Sequence, residues 1–337
     1  MPAHFTQTRV ETLVSGFVSS QIVAIIFFAA TKLDESLKFE GALGDTQDTH
    51  KPGSYLAQFD AVCYRAEYTT EKRLGRTSTG YLELVTDNST GESFLLKQIC
   101  PDKTRKYRRR FGTTGYLSEI EIVQQFHNKS SSDLLLHDSG TTTDGKNYLI
   151  YEYQAGNFLS KLIDPQAPKV VLPLKQRFRW VTELAILLMR VHVNNFIHRS
   201  VSPASIYLSS KSRKLSLIDY SAVTPNEKAY LIPPTVPAQP IYTAPEVIRR
   251  KSISCQSDVF TFGVLAFQLL GNQHPWNVQA NTTKDALIFN SQPPAELKEL
   301  VKLPSLLNDA IMKCLHVDPS KRHRSLKNFL MAAGIKH

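Results

Sequence analysis

Between Tyr81 and Ile99 the chain alternates apolar and polar residues in two stretches, YLELV and SFLLKQI, with TDNSTGE between them. Alternation with period two predicts half-buried strands, and the Asp/Asn/Gly-rich interruption predicts the turn of a hairpin. Beyond residue 175 the period changes. RFRWVTELAILLMRVHVNN carries one apolar stripe at helical spacing, and DVFTFGVLAFQLLG is apolar on nearly every side, as expected of a helix at the centre of a large core. Strands first and helices afterwards predict an α+β protein with two lobes, a small β-rich one over residues 67–154 and a larger helical one over 155–333.

Ahead of this domain the pattern is different. Residues 1–37 contain an uncharged run of twenty residues, Thr12 to Thr31, which as a helix would be about 30 Å long, the thickness of a bilayer core. Ser15, Ser19, Ser20 and Gln21 dilute its first half, and only Ile22 to Ala30 is continuously apolar. A membrane anchor and a helix docked on the protein both remain open; Phe28 fits poorly in a signal-peptidase cleavage site. Residues 38–66 read as a polar linker followed by a short amphipathic helix, in which Leu56, Phe59, Cys63 and Ala66 recur at three- and four-residue spacing.

Composition supports a large folded body: 337 residues, 42% hydrophobic and 21% charged. The four cysteines, Cys63, Cys100, Cys255 and Cys314, stand far apart without metal-ligand spacing, so neither zinc nor a disulfide framework is expected, and reduced thiols point to the cytoplasm or the cytoplasmic face of a membrane. The net charge of +10 is concentrated in one place, with six cations among the eight residues from Lys103 to Arg110. Such a run is either a solvated face or a dock for an anionic membrane surface or an acidic partner; nucleic acid is the weaker expectation.

The chemistry-bearing motifs follow in a fixed order. GRTSTG runs from Gly75 to Gly80, FLLK ends at Lys97, SEIEI contains Glu119, and YLIYEY spans Tyr148 to Tyr153. FIHRSVSPASIYL, DYS (Asp219 to Ser221), APE (Ala244 to Glu246), SDVFTFGVL and CLHVDPSKR come after them. This series resembles the eukaryotic protein kinase family, serine/threonine type, in degenerate form. The resemblance implies a vestigial nucleotide site at Gly75, Gly80, Lys97, Glu119 and Asp219. There Lys97 would meet phosphates and pair with Glu119, and Asp219 would be a weak Mg²⁺ ligand. It also implies a Glu246–Arg322 ion pair and architectural roles for His198, Arg199 and Asp258.

Several positions depart from the family pattern. Ser200, Ser202 and Ser205 stand where phosphoryl transfer uses Asp, Lys and Asn; a neutral hydroxyl is neither a charged orienter of the acceptor nor a partner for a transferring phosphate. Thr77 replaces the middle glycine of the loop, and Ser221 the glycine that follows Asp219 in the family. Leu95 and Tyr207 fall where the family keeps room for a base, with Tyr151 at the gatekeeper position. The expectation is a catalytically inactive kinase-like scaffold or allosteric regulator, acting on a protein such as an active kinase and requiring no cofactor. The alternative is a divergent ATP- and Mg²⁺-dependent serine/threonine kinase, or a nucleotidyl transferase.

Overall fold

In the computed structural model the two alternating stretches lie in strands β2 (Gly80–Asp87) and β3 (Ser93–Ile99), paired as the expected hairpin, and a further strand, β1 (Tyr68–Arg76), precedes them. The structure describes residues 67–77, 79–99, 117–127, 134–142, 146–163, 172–226, 239–249, 251, 253–278, 282–290 and 292–336. The run 12–31, the helix expected near residue 60 and the basic run Lys103–Arg110 lie outside the described residues. The hairpin turn is built by Asp87, whose carboxylate accepts from the backbone N–H of Ser89 (2.7 Å) and Thr90 (3.1 Å). Gly91 then reverses the chain at φ 74°, a left-handed conformation in which a side chain is strained.

Helix α1 (Glu119–His127) starts in a capping box. The Ser118 hydroxyl accepts from the Glu121 N–H, and the Glu121 carboxylate accepts from the Ser118 N–H. Strands β4 (Leu136–Thr141) and β5 (Asn147–Glu152) complete an antiparallel sheet in the order β1-β2-β3-β5-β4. Successive residues of β3 divide between its faces: Leu95 and Ile99 join Leu82, Leu149, Tyr151 and the α1 residue Val123 on the inner side, while Phe94 and Leu96 join Val85 and Ile150 on the outer.

The larger lobe begins with β6 (Gly156–Phe158), α2 (Ser160–Ile163) and α3 (Leu174–Val193), the first long helix expected from the sequence. Short strands β7 (Phe196–Ile197), β8 (Ile206–Ser209), β9 (Leu215–Leu217) and β10 (Thr224–Pro225) follow, β8 pairing with both β6 and β9. After α4 (Pro245–Ile248) comes α5 (Cys255–Gly271), in which every residue from Ser257 to Leu270 is buried. Its all-apolar character is therefore that of a core axis. The short helices α6 (Thr283–Ala286) and α7 (Leu297–Leu300) come next, and a Cβ on Gly263 would lie 2.5 Å from Cys314 Cβ, so this glycine lets α8 (Ser305–Cys314) pack tightly against α5. Arg177 of α3 donates to Leu270 O at 2.7 Å and to Asn272 Oδ1 at 3.0 Å, satisfying the exposed end of α5. The helix α9 (Leu326–Ala332) closes the core through Leu326, Phe329 and Leu330.

Candidate functional site

The inner face of β3 places Lys97 at the junction of the lobes, with its side chain fully buried. Its Nζ donates to Glu119 Oε1 of α1, to Ile218 O at 2.9 Å and to Asp219 Oδ1 at 3.2 Å. An ammonium has three N–H groups, and all three find acceptors within the protein. Burial opposes the charge, but the Asp219 and Glu119 carboxylates outweigh it and raise the Lys97 pKa. Burial pushes Glu119 up, while Lys97 pulls it back. Glu119 also accepts from the backbone N–H of Tyr220 (2.7 Å) and from Thr79 Oγ1 (3.1 Å). The expected Lys97–Glu119 pair is thus present and enlarged, and Asp219 additionally accepts from the Ser221 N–H at 3.3 Å, capping its own turn.

The glycine loop joins β1 to β2 above this hub. Thr77 and Thr79 are both buried; Thr77 N–H donates to Gly80 O (2.9 Å), and Gly80 N–H to Thr77 Oγ1 (3.0 Å). Gly80 lies so close to β3 that a Cβ would be 1.6 Å from Gln98 O. At Gly75 a Cβ would be 2.1 Å from Cε2 of Phe158, so the phenyl ring sits directly beneath the loop.

Phe158 belongs to a buried cluster with Leu82, Leu95, Tyr151, Tyr207 and Ile218. It opposes Tyr207 across β6 and β8, the rings meeting edge to face at 6.2 Å. The Tyr207 hydroxyl donates to Gln154 O at 2.8 Å, reaching the segment that links the lobes, and burial pushes its pKa up. Gly156 makes room for that ring, since a Cβ there would lie 2.7 Å from Tyr207 Cε1. Leu95 pairs with Tyr151 in the β3–β5 register, and both belong to this cluster. Phe158 and Thr79 were not among the residues expected at the site; the cue available for Phe158 was its position two residues after Gly156, which does not reveal that its ring reaches Gly75.

The three serines lie on a loop held from below. Asp258 of α5 accepts from the backbone N–H of His198 (2.7 Å) and Arg199 (2.8 Å) and bonds His192 Nε2 at 2.9 Å. Burial works against the Asp258 charge, yet these partners hold its pKa below the usual value. Arg199 takes φ 68°, so the loop is fixed in a left-handed bend. Ser205 Oγ accepts from Ser202 N–H and donates to Ser202 O, both at 2.9 Å, which commits the hydroxyl to its own turn. Ser200 is half-buried on the same loop. Arg322 binds Glu246 through two parallel 2.8 Å bonds, and its guanidinium also covers the Phe260 ring at 4.9 Å, so the expected ion pair serves the core.

Phe158, Tyr207 and Leu95 are packed together in one buried cluster, and the Lys97 N–H groups are engaged by protein acceptors. Among the described residues no group of three His, Cys, Asp or Glu side chains is placed to hold a metal ion.

The protein kinase domain family matches residues 68–331, and the chain belongs to that family. It is 22% identical over 275 residues to a probable serine/threonine-protein kinase of Clostridium acetobutylicum, covering 78% of this chain and 39% of that one. It is 23% identical over 296 residues to serine/threonine-protein kinase PAK 1 of Mus musculus, covering 87% of this chain and 51% of the relative. The chain thus spans about half the length of these relatives or less. Among solved structures it is similar to the Cydia pomonella granulovirus kinase PK-1, with TM-score 0.61 and 20% identity over 79% of this chain and 94% of that one. The twitchin kinase region of C. elegans gives the same TM-score and identity over 82% of this chain and 47% of the other. These likenesses establish the bilobal α+β kinase fold.

Proposed function

We propose that this chain is a non-catalytic member of the protein kinase family, a scaffold or allosteric regulator whose interlobe cleft is closed by its own side chains. The observation that carries the reading is the Phe158 ring seated against Gly75 above Tyr207, where a nucleotide base would have to enter. The serines support it. Losing a charged orienter and two phosphate- or metal-binding groups removes several kcal/mol of transition-state stabilisation for each, though such losses do not simply add. Gly75, Gly80, Lys97, Glu119 and Asp219 then act as a lobe-to-lobe clamp rather than as a nucleotide site, and neither ATP nor Mg²⁺ is required. The partner is a protein, an active kinase being the type the shared fold favours, and the basic run Lys103–Arg110 would add contact with an anionic membrane at the cytoplasmic face.

The competing activity is a divergent serine/threonine kinase or nucleotidyl transferase, favoured by the Lys97–Glu119–Asp219 juxtaposition. Melting of the full chain with and without Mg·ATP, together with labelling by γ-phosphate-tagged ATP, separates the two. Unchanged melting and no transfer are expected. Transfer that disappears in Asp219→Ala would overturn the proposal.

A further inference from the structure

The bend that joins β8 to β9 reads SSKSRK from Ser209 to Lys214, with Lys211 and Lys214 exposed. Its backbone closes on itself. Ser209 N–H donates to Lys214 O (3.1 Å), Arg213 N–H donates to Ser209 O (2.9 Å), and the Ser209 hydroxyl accepts from the Ser212 N–H (3.2 Å). Arg213 holds φ 55°, a left-handed conformation that normally falls to glycine or asparagine. Trp180 of α3, 1% exposed, fixes it there by donating its indole N–H to Arg213 O at 3.0 Å. The bend is thus pinned to the core through a carbonyl, and an arginine is kept where glycine would be less strained.

The same contact sets the bend beside the cations of α3. Glu183 accepts from Arg179 Nε (3.0 Å) through one oxygen and from the Leu215 N–H (3.2 Å) through the other, so one carboxylate ties Arg179 to the strand that starts directly after Lys214. Lys175 precedes Arg179 by about one helical turn. Glu183 is the sole acidic residue within 172–184 and 209–217, and β6, which pairs with β8 along its other edge, brings only Gly156, Asn157 and Phe158. We propose that Lys175, Arg179, Lys211, Arg213 and Lys214 form a docking surface for an acidic segment of a partner protein, a run of Asp and Glu side chains.

Charge and chemistry select that occupant. Cations gathered about a single carboxylate that is already engaged favour an anionic partner, and the planar guanidinium groups of Arg179 and Arg213 match carboxylates through paired hydrogen bonds. Stable attachment to a bilayer takes an apolar insertion beside the charges. The exposed large apolar residues Leu135, Tyr153, Val193, Leu300, Leu306 and Met331 all lie outside 174–184 and 209–215. Single-stranded nucleic acid is bound through exposed rings on which bases stack, and the Trp180 ring is buried. None of the five cations belongs to the cleft, and the test contains no nucleotide, so its failure leaves the reading of the cleft untouched.

The probe is an oligoglutamate peptide with a central benzoylphenylalanine, illuminated in the presence of the full chain. Cross-links are expected in fragments covering 172–184 and 209–217, besides any at Lys103–Arg110. Lys211→Ser with Lys214→Ser should cut the yield at those two fragments about fivefold, as two exposed ion pairs are lost. Lys211→Arg with Lys214→Arg should keep it. Three results would overturn the proposal: no cross-link in either fragment, an unchanged yield in the Ser variant, or binding to phosphatidylserine vesicles that the Ser variant abolishes while peptide cross-linking persists. Both lysines are exposed, so the variant should melt as the parent does; should it not, the map of cross-links on the parent decides alone.

Discussion

Removing the Phe158 ring tests the cleft directly. Phe158 is 3% exposed and lies among Gly75, Leu82, Leu95 and Tyr207, all in the same buried cluster or in contact with it. A Phe→Ala change in such a site costs about 3–5 kcal/mol, the transfer free energy of the ring plus the cavity left behind. For a domain of this size that lowers the melting temperature by roughly 6–20 °C, at 2–4 °C per kcal/mol. The space left would be lined by the apolar side chains of Leu82, Leu95 and Ile218 and by the Tyr207 ring. Adenine should therefore raise the melting temperature of Phe158→Ala while leaving the parent unchanged. Because Lys97 is saturated by Glu119, Ile218 O and Asp219, Mg·ATP should stabilise the variant no more than adenine does. Scanning calorimetry reads all of these effects. Stabilisation of the parent by Mg·ATP, or a loss below about 1 kcal/mol in the variant, would refute the claim that this ring fills the base site.

Lys97→Met should cost about 3–5 kcal/mol in urea unfolding, because it strands the Glu119 and Asp219 carboxylates in the core; wild-type stability would show that the clamp contributes nothing. Burial lowers the pKa of His198, so the unfolded chain takes up the proton first and stability falls as pH drops below about 6.5. Among the described residues neither ring nitrogen of His198 has a hydrogen-bond partner, so His198→Phe should fold and show a shallower loss between about pH 7 and 5.5; an unaltered slope sinks the assignment. Gly91→Ala should destabilise by about 1 kcal/mol through its φ of 74° alone, as the space around it is open; a neutral result in denaturant titration would mean that the turn relaxes.

The parts of the fold that were legible in the sequence are those set by local periodicity or by residue chemistry. The β2–β3 hairpin announced itself by alternation around an Asp/Gly turn, α5 by being apolar all round, and Glu246–Arg322 by a family pattern that the two parallel hydrogen bonds bear out. Ser118 and Glu121 within SEIEI also spell a capping box, which the structure forms one residue to either side of Glu119 and Ile120. Leu95 and Tyr207 could be placed because strand register orders them relative to Lys97 and Ser205. Which side chain crosses the cleft could not be read in the same way. The contact of Phe158 with Gly75 depends on how closely two lobes approach, and the Thr79–Glu119 bond on how far a loop bends inward. Both are set by tertiary packing between residues at least 40 positions apart, to which no local pattern corresponds.

The contact between Phe158 and Gly75 has a consequence for regulation. When a small molecule holds two lobes together, the fraction held rises and falls with its free concentration, by mass action. A ring supplied by the chain itself is always present at the concentration its tether dictates, which no change in metabolism alters. On the reading proposed here, a partner meets the same lobe arrangement in a starved cell as in a fed one, and any control must act through the surface rather than through the supply of nucleotide.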